Sequence, residues 1–201
     1  MAISAQLIKE LREKTQAGIL DCRKALEASD GDLKKAERFL LEKGLAAAEK
    51  RADREASNGV IELYNHGDGR LGVMVEINCE TDFVALTDGF RSFAHEIALQ
   101  VAASDPSWLR EEDVPEAIIA EQKDIARKRA LEEGKPEQVI DRIIEGRLKK
   151  FLDDACLMNQ IYIKDEKKTV DQLLKEIIAI TGENIIIRRF ERWSLGDAET
   201  I

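Results

Sequence analysis

The apolar residues of this chain change period near residue 58, and that change sets the outline of the fold. Before it, apolar side chains recur at helical spacing. Leu7, Ile8 and Leu11 form one stripe, Cys22, Ala25 and Leu26 (with Ser29) a second, and Leu33, Ala36 and Leu40 a third. Tight connections, Thr15-Gln16-Ala17-Gly18 and Ser29-Asp30-Gly31, separate the three segments; Asp32 is placed to cap the third and Gly44 to stop it. After the change the pattern alternates. Val60, Glu62 and Tyr64 alternate with Ile61 and Leu63, and Val73, Val75 and Ile77 alternate with Met74 and Glu76. His66-Gly67-Asp68-Gly69-Arg70 between them reads as a hairpin loop.

Helical spacing then returns in Phe90, Phe93, Ala94, Ile97 and Val101, with Asp88 as the expected cap. Asp105-Pro106-Ser107 breaks this helix, and Pro115 opens another that runs to about Leu131. Gly134-Lys135-Pro136 turns the chain into a partner helix from about Glu137 to Asp154, which makes an antiparallel helical hairpin at about 115–154. Tyr162–Asp165 looks extended, Thr169 caps a helix through Ile180 that Gly182 stops, and Ile185–Trp193 reads as a last strand. The fold class is therefore α+β. Three regions are expected: a three-helix domain over 1–45, a solvated helical linker over 46–57, and a core of antiparallel strands packed with helices and the hairpin over 58–201.

Charge and composition narrow the function. The 201 residues carry a net charge of −9, with no basic run long enough to follow a phosphate backbone. Residues 1–54 hold 12 Lys and Arg against 10 Asp and Glu, so the acidity lies in the remainder. Another protein, not nucleic acid, is the expected partner. Apolar runs such as Ile177-Ile178-Ala179-Ile180 are too short to cross a bilayer, and the first residues lack a basic flank and an apolar signal core. A cytoplasmic location with no membrane partner follows. Cys22, Cys79 and Cys156 are odd in number and widely spaced, which speaks against a disulfide scaffold and against a zinc site.

Little suggests covalent chemistry. His66 and His95 are the only histidines and neither has a Ser, Cys or Asp at triad spacing. Gly67-Asp68-Gly69 lacks the Lys-Ser/Thr and the strand-to-helix setting of a phosphate loop. No catalytic residue, metal or cofactor is expected. Two other stretches stand out. Thr81-Asp82-Phe83-Val84 follows the second strand directly, where an aromatic and a carboxylate can project together and the aromatic can fill a partner's pocket. Ile19 and Leu20 are adjacent in the turn before the second helix; they read equally as core of the small domain or as an exposed apolar contact.

The run from Ile8 to Leu26, which contains Thr15-Gln16-Ala17-Gly18-Ile19-Leu20-Asp21-Cys22-Arg23-Lys24-Ala25, closely resembles the signature of bacterial elongation factor Ts. Thr81-Asp82-Phe83-Val84 matches in order and separation, and Gly134-Lys135-Pro136 and Arg188-Arg189-Phe190-Glu191-Arg192 look like the short form of that family. The chain departs from the family pattern at Gln16, at Ile19 and Leu20 where methionines are usual, and at Asn58-Gly59 where Glu-Gly is usual. The resemblance implies a guanine-nucleotide exchange factor for the translational GTPase elongation factor Tu. It implies a ubiquitin-associated-like N-terminal domain docking through Ile19 and Leu20, and Asp82 and Phe83, flanked by Thr81 and Val84, presented near the partner's Mg²⁺ so that GDP leaves. Longer members have two related core subdomains where this chain has one. Together with the apolar strand Ile185–Trp193, that points to a homodimer.

Two other readings stand beside it. A helical adaptor would bind partners or a second copy without changing nucleotide release. A thiol enzyme using Cys79 would need a cation or base near the sulfur, whereas Glu80 beside it acts in the opposite sense.

Overall fold

The computed structural model describes residues 3–15 and 17–197, without the side chains of residues 45 and 47–49. Gln16 lies outside the described residues. The fold is α+β, with helices at the N-terminus followed by antiparallel strands and further helices.

Helices α1 (Ala5–Thr15), α2 (Ile19–Ala28) and α3 (Leu33–Glu49) come first. Their stripes close a small core of Leu11, Cys22, Ala25, Leu26, Ala36 and Leu40. Asp32 caps α3, its Oδ1 accepting the Lys35 N–H at 3.1 Å. Lys43 and Asp21, 2.6 Å apart, tie α3 to α2. The expected stop at Gly44 does not occur, because α3 runs on to Glu49. Gly44 is instead a packing glycine: a Cβ there would lie 2.6 Å from the Cβ of Ala179 on α8 (Val170–Thr181). The linker expected to be helical over 46–57 is helical only as far as Glu49. Beyond it, the carbonyls of Ala52 and Arg54 accept from Asn184 Nδ2 at 3.2 and 2.7 Å, where a helix would have used backbone N–H. Ala56 in this stretch is buried, so it is not wholly solvated.

The alternating segments form β1 (Asn58–His66) and β2 (Leu71–Cys79), and with β5 (Ile185–Ser194) they make a sheet in the order β1-β2-β5. Val73, Val75 and Ile77 of β2 are buried while Met74 is exposed, as the alternation requires. Gly59 has φ +146°, and a Cβ there would collide with the carbonyl oxygen of Ile77, so only glycine allows β1 to approach β2 this closely.

After β2 come the single turn α4 (Asp82–Ala85) and the helix α5 (Asp88–Ser104). Thr87, not the expected Asp88, caps α5, with its Oγ1 accepting the Phe90 N–H at 3.3 Å. Asp88 is the first helical residue, where its charge still favours the positive end of the helix. Helices α6 (Glu116–Glu132) and α7 (Glu137–Ala155) form the hairpin, closed by Ala126 and Ala130 against Ile140 and Ile144. An unforeseen antiparallel pair follows, β3 (Ile161–Tyr162) with β4 (Asp165–Thr169). Helix α8 ends as expected at Gly182, whose φ of +75° suits a helix stop.

The chain forms two compact units. One comprises the chain up to Ile61 with Glu76–Ala94 and Gln172–Arg188; the other comprises Glu62–Val75, His95–Asp171 and the chain from Arg189.

Candidate functional site

The Thr81–Val84 motif is built from the end of β2. Thr81 has extended backbone (φ −126°, ψ 154°) and caps α4, its Oγ1 accepting the Val84 N–H at 3.4 Å. The next peptides turn sharply: Ala85 N–H returns to Thr81 O, and Leu86 N–H to Asp82 O. No residue of α4 is buried. Phe83 is 79% exposed, with Leu86 one turn further on also exposed. Asp82 is exposed as well, and Thr81 and Val84 are half-buried. A phenylalanine this open does not belong to the core of its own chain, so the motif presents an aromatic and a carboxylate side by side to solvent.

The turn hangs on Glu183. Its Oε2 accepts the N–H groups of Glu80 and Thr81 at 3.1 and 3.0 Å, and its Oε1 accepts the Thr81 hydroxyl at 2.5 Å. Asn184, fully buried, returns its own N–H to Glu80 Oε1 at 2.6 Å. The departure at Asn58 also finds its place here, because Asn58 Nδ2 donates to the Glu80 carbonyl at 2.8 Å. Glu183 and Asn184 did not stand out in the sequence, and Asn58 stood out only as a departure without a role. Thr181-Gly182-Glu183-Asn184 carries a helix-stop signal but nothing that pairs it with a turn 102 residues earlier.

Ile19 and Leu20 open α2, whose N-cap is Gly18, and are 57% and 68% exposed. The structure thus takes the exposed of the two alternatives for both. Ile19 also walls a cleft of about 540 Å³ with Ala5, Ile8, Lys9, Arg12 and Glu13. The physical reason is the helix phase: Cys22, Ala25 and Leu26 take the inward face of α2, which leaves its first residues outside.

Cys79 is buried and donates to the Thr81 carbonyl, with Sγ 3.1 Å from the oxygen. Burial, and after it the charge of Glu183, push its thiol above the ordinary value, the opposite of what a nucleophile needs. Cys156 is also buried, and burial followed by the charges of Glu111 and Asp113 pushes it up to about 11. The two histidines come together around Tyr64. His66 Nδ1 is 2.8 Å from the Tyr64 hydroxyl, and His95, edge-on to the Tyr64 ring, holds Glu62 at 2.9 Å. Among the described residues no group of three or more His, Cys, Asp and Glu is arranged to hold a metal, and no helix is long and apolar enough to cross a membrane.

Comparison with known proteins identifies the family. A family model described as elongation factor TS matches residues 46–197, which include the Thr81 turn and Glu183. Among curated relatives, the Elongation factor Ts of Coprothermobacter proteolyticus is 54% identical over 98% of this chain and 100% of its own length. That of Caldanaerobacter subterraneus subsp. tengcongensis is 56% identical over 97% and 98%. That of Carboxydothermus hydrogenoformans is 55% identical over 97% and 90%.

Proposed function

Because this chain belongs to the elongation factor Ts family, we propose that it is a cytoplasmic guanine-nucleotide exchange factor for elongation factor Tu. The observation that carries the reading is Phe83, four-fifths exposed beside Asp82 on a turn fastened from below by Glu183. Ile19 and Leu20 supply an apolar docking surface on the N-terminal helices, next to a cleft that can take a partner side chain. The turn then enters the GTPase near its nucleotide.

The chemistry is linkage, with no bond made or broken by this chain. A protein that binds the nucleotide-free GTPase more tightly than the GDP form must weaken GDP by the same factor. Turning a GDP-loaded population into a mostly empty one takes a differential of about 10⁴, or about 5.5 kcal/mol. A buried aromatic anchor contributes about 2 kcal/mol or more of that; the remainder comes from contacts made only to the nucleotide-free form, whereas docking through Ile19 and Leu20 adds affinity for both forms and no bias. Asp82 acts on Mg²⁺, which keeps few protein ligands and relies on water and phosphate oxygens, so a small displacement loosens it.

The chain acts as a homodimer in this reading. Leu63 on β1, Met74 on β2 and Trp193 on β5 are exposed large apolar side chains, with Trp193 79% exposed. A second copy covers exposed apolar side chains of this kind, and two-fold closure leaves no open surface for further growth.

The test is stopped-flow release of a fluorescent GDP from elongation factor Tu with and without this chain, at millimolar Mg²⁺ and with the metal chelated. The chain should speed release strongly in Mg²⁺, and Asp82→Asn should be slower than the parent there but close to it in chelator. Binding without faster release would favour the adaptor reading. An Asp82→Asn to parent ratio that ignores the metal would remove the Mg²⁺ role.

A further inference from the structure

We infer that Glu183 is a positioning residue for exchange: its carboxylate sets the direction in which Phe83 and Asp82 leave the protein. This rests on the exchange-factor reading above. Helix α4 has little of its own to hold it in place. It is one turn of four residues with nothing buried, and an isolated turn does not hold its geometry by its own hydrogen bonds. Phe83, four-fifths exposed, contributes little packing that would fix its own direction. The turn must therefore be aimed by its backbone.

Asn58 holds the Glu80 carbonyl and Cys79 the Thr81 carbonyl, but the N–H groups and the hydroxyl that start the turn are all held by one side chain. Three donors converge on Glu183: the N–H groups of Glu80 and Thr81 on Oε2, and the Thr81 hydroxyl on Oε1. Bonds to an ionised acceptor are roughly twice as strong as neutral ones, and the two oxygens fix angle as well as distance. The hydroxyl bond has a second consequence. With its proton committed to Glu183, Thr81 Oγ1 presents its lone pairs to the Val84 N–H, so the same contact sets the cap that starts α4. Glu183 is held in turn, because the adjacent Asn184 is buried and binds Glu80 and the carbonyls of Ala52 and Arg54. Glu183 touches no substrate; it acts through Thr81.

Two measurements on the full chain test this. The first is amide hydrogen exchange in the free protein. Glu183→Ala should free the Glu80 and Thr81 amides about tenfold or more while Val75 and Ile77 in β2 stay protected. The second is stopped-flow GDP release against factor concentration, with Phe83→Ala run alongside. Glu183→Ala should lower the maximal rate about tenfold, as misplacement of a contact group does, while the half-saturating concentration moves less than about threefold. Glu183→Gln, which keeps one acceptor oxygen, should fall between parent and Ala in both measurements. If Ala loosens β2 as well, the Gln variant decides by the same two readouts.

Unfreed amides, or freed amides with an unchanged maximal rate while Phe83→Ala is slow, would overturn the positioning role alone. An unchanged rate in both Glu183→Ala and Phe83→Ala would bring down the exchange reading, and this role with it.

Discussion

Gly44 of α3 faces Ala179 of α8 across a gap that has no room for a methyl group: a Cβ at 44 would lie 2.6 Å from that of Ala179. Helix propensity alone favours Gly44→Ala by about 1 kcal/mol. Overpacking a closed contact costs about 1–3 kcal/mol, and here it wins. Gly44→Ala should lower stability by about 1 kcal/mol, or about 2–4 °C in Tm for a chain of this size. A variant that melts higher than the parent would show that the two helices are not in this contact.

Phe83→Ala should cost exchange and spare the fold. Loss of a pocket-filling aromatic is worth about 2 kcal/mol or more, roughly a thirty-fold slower stimulated GDP release. Because the ring is exposed in the free protein, Tm should stay within a degree or two, which is small against the effect of removing a core residue. A large fall in Tm would place the ring in a core.

Leu20→Asp should separate docking from the later step. An unpaired carboxylate in an apolar contact weakens the complex, so the titration midpoint should rise about tenfold or more. At saturating factor the release rate should return nearly to that of the parent, since the Thr81 turn is untouched. An unchanged affinity would remove the docking role from α2.

Trp193→Glu should yield a monomer. The substitution puts charge at the most exposed apolar side chain of β5, while the buried Ile185 and Ile187 of that strand are undisturbed. Light scattering at micromolar concentration should give twice the chain mass for the parent and the single mass for the variant. A monomeric parent would end the dimer proposal.

Acid should loosen the protein through Glu96. Burial pushes this carboxyl up, but hydrogen bonds from Lys164 (2.6 Å) and Tyr162 (2.7 Å), with the charges of Lys164 and His95, outweigh burial and leave its pKa below the ordinary value. A carboxyl depressed in the folded state contributes fully above the unfolded value of about 4.3 and loses that contribution as pH falls through the lower folded value. Glu96→Gln should therefore be less stable than the parent at pH 7, and its Tm should fall less steeply between about pH 5 and 3. Parallel Tm–pH curves would show that Glu96 is not differentially ionised on folding.

The sequence by itself determined what depends on neighbours a few residues apart. The three apolar stripes that close around Leu11 and Leu26, the alternation along β2, the Asp32 cap and the Gly182 stop are all short-range, because helix and strand periods bring such residues to one face whatever the rest of the chain does. The Thr81-Asp82-Phe83-Val84 run was legible for the same reason, a motif contiguous in the chain at the end of a readable strand.

Only the tertiary structure decided what depends on residues far apart. Gly44 looked like a helix stop until Ala179 was set against it, and Asn58 had no role until the Glu80 carbonyl reached it. Ile19 and Leu20 could be sorted from the core only by the phase at which α2 begins. Glu183 could not be found at all, because a carboxylate's partners are chosen by where the backbone brings donors and not by their distance along the chain. The local code specifies the elements; the closure of the fold selects which of their polar groups meet.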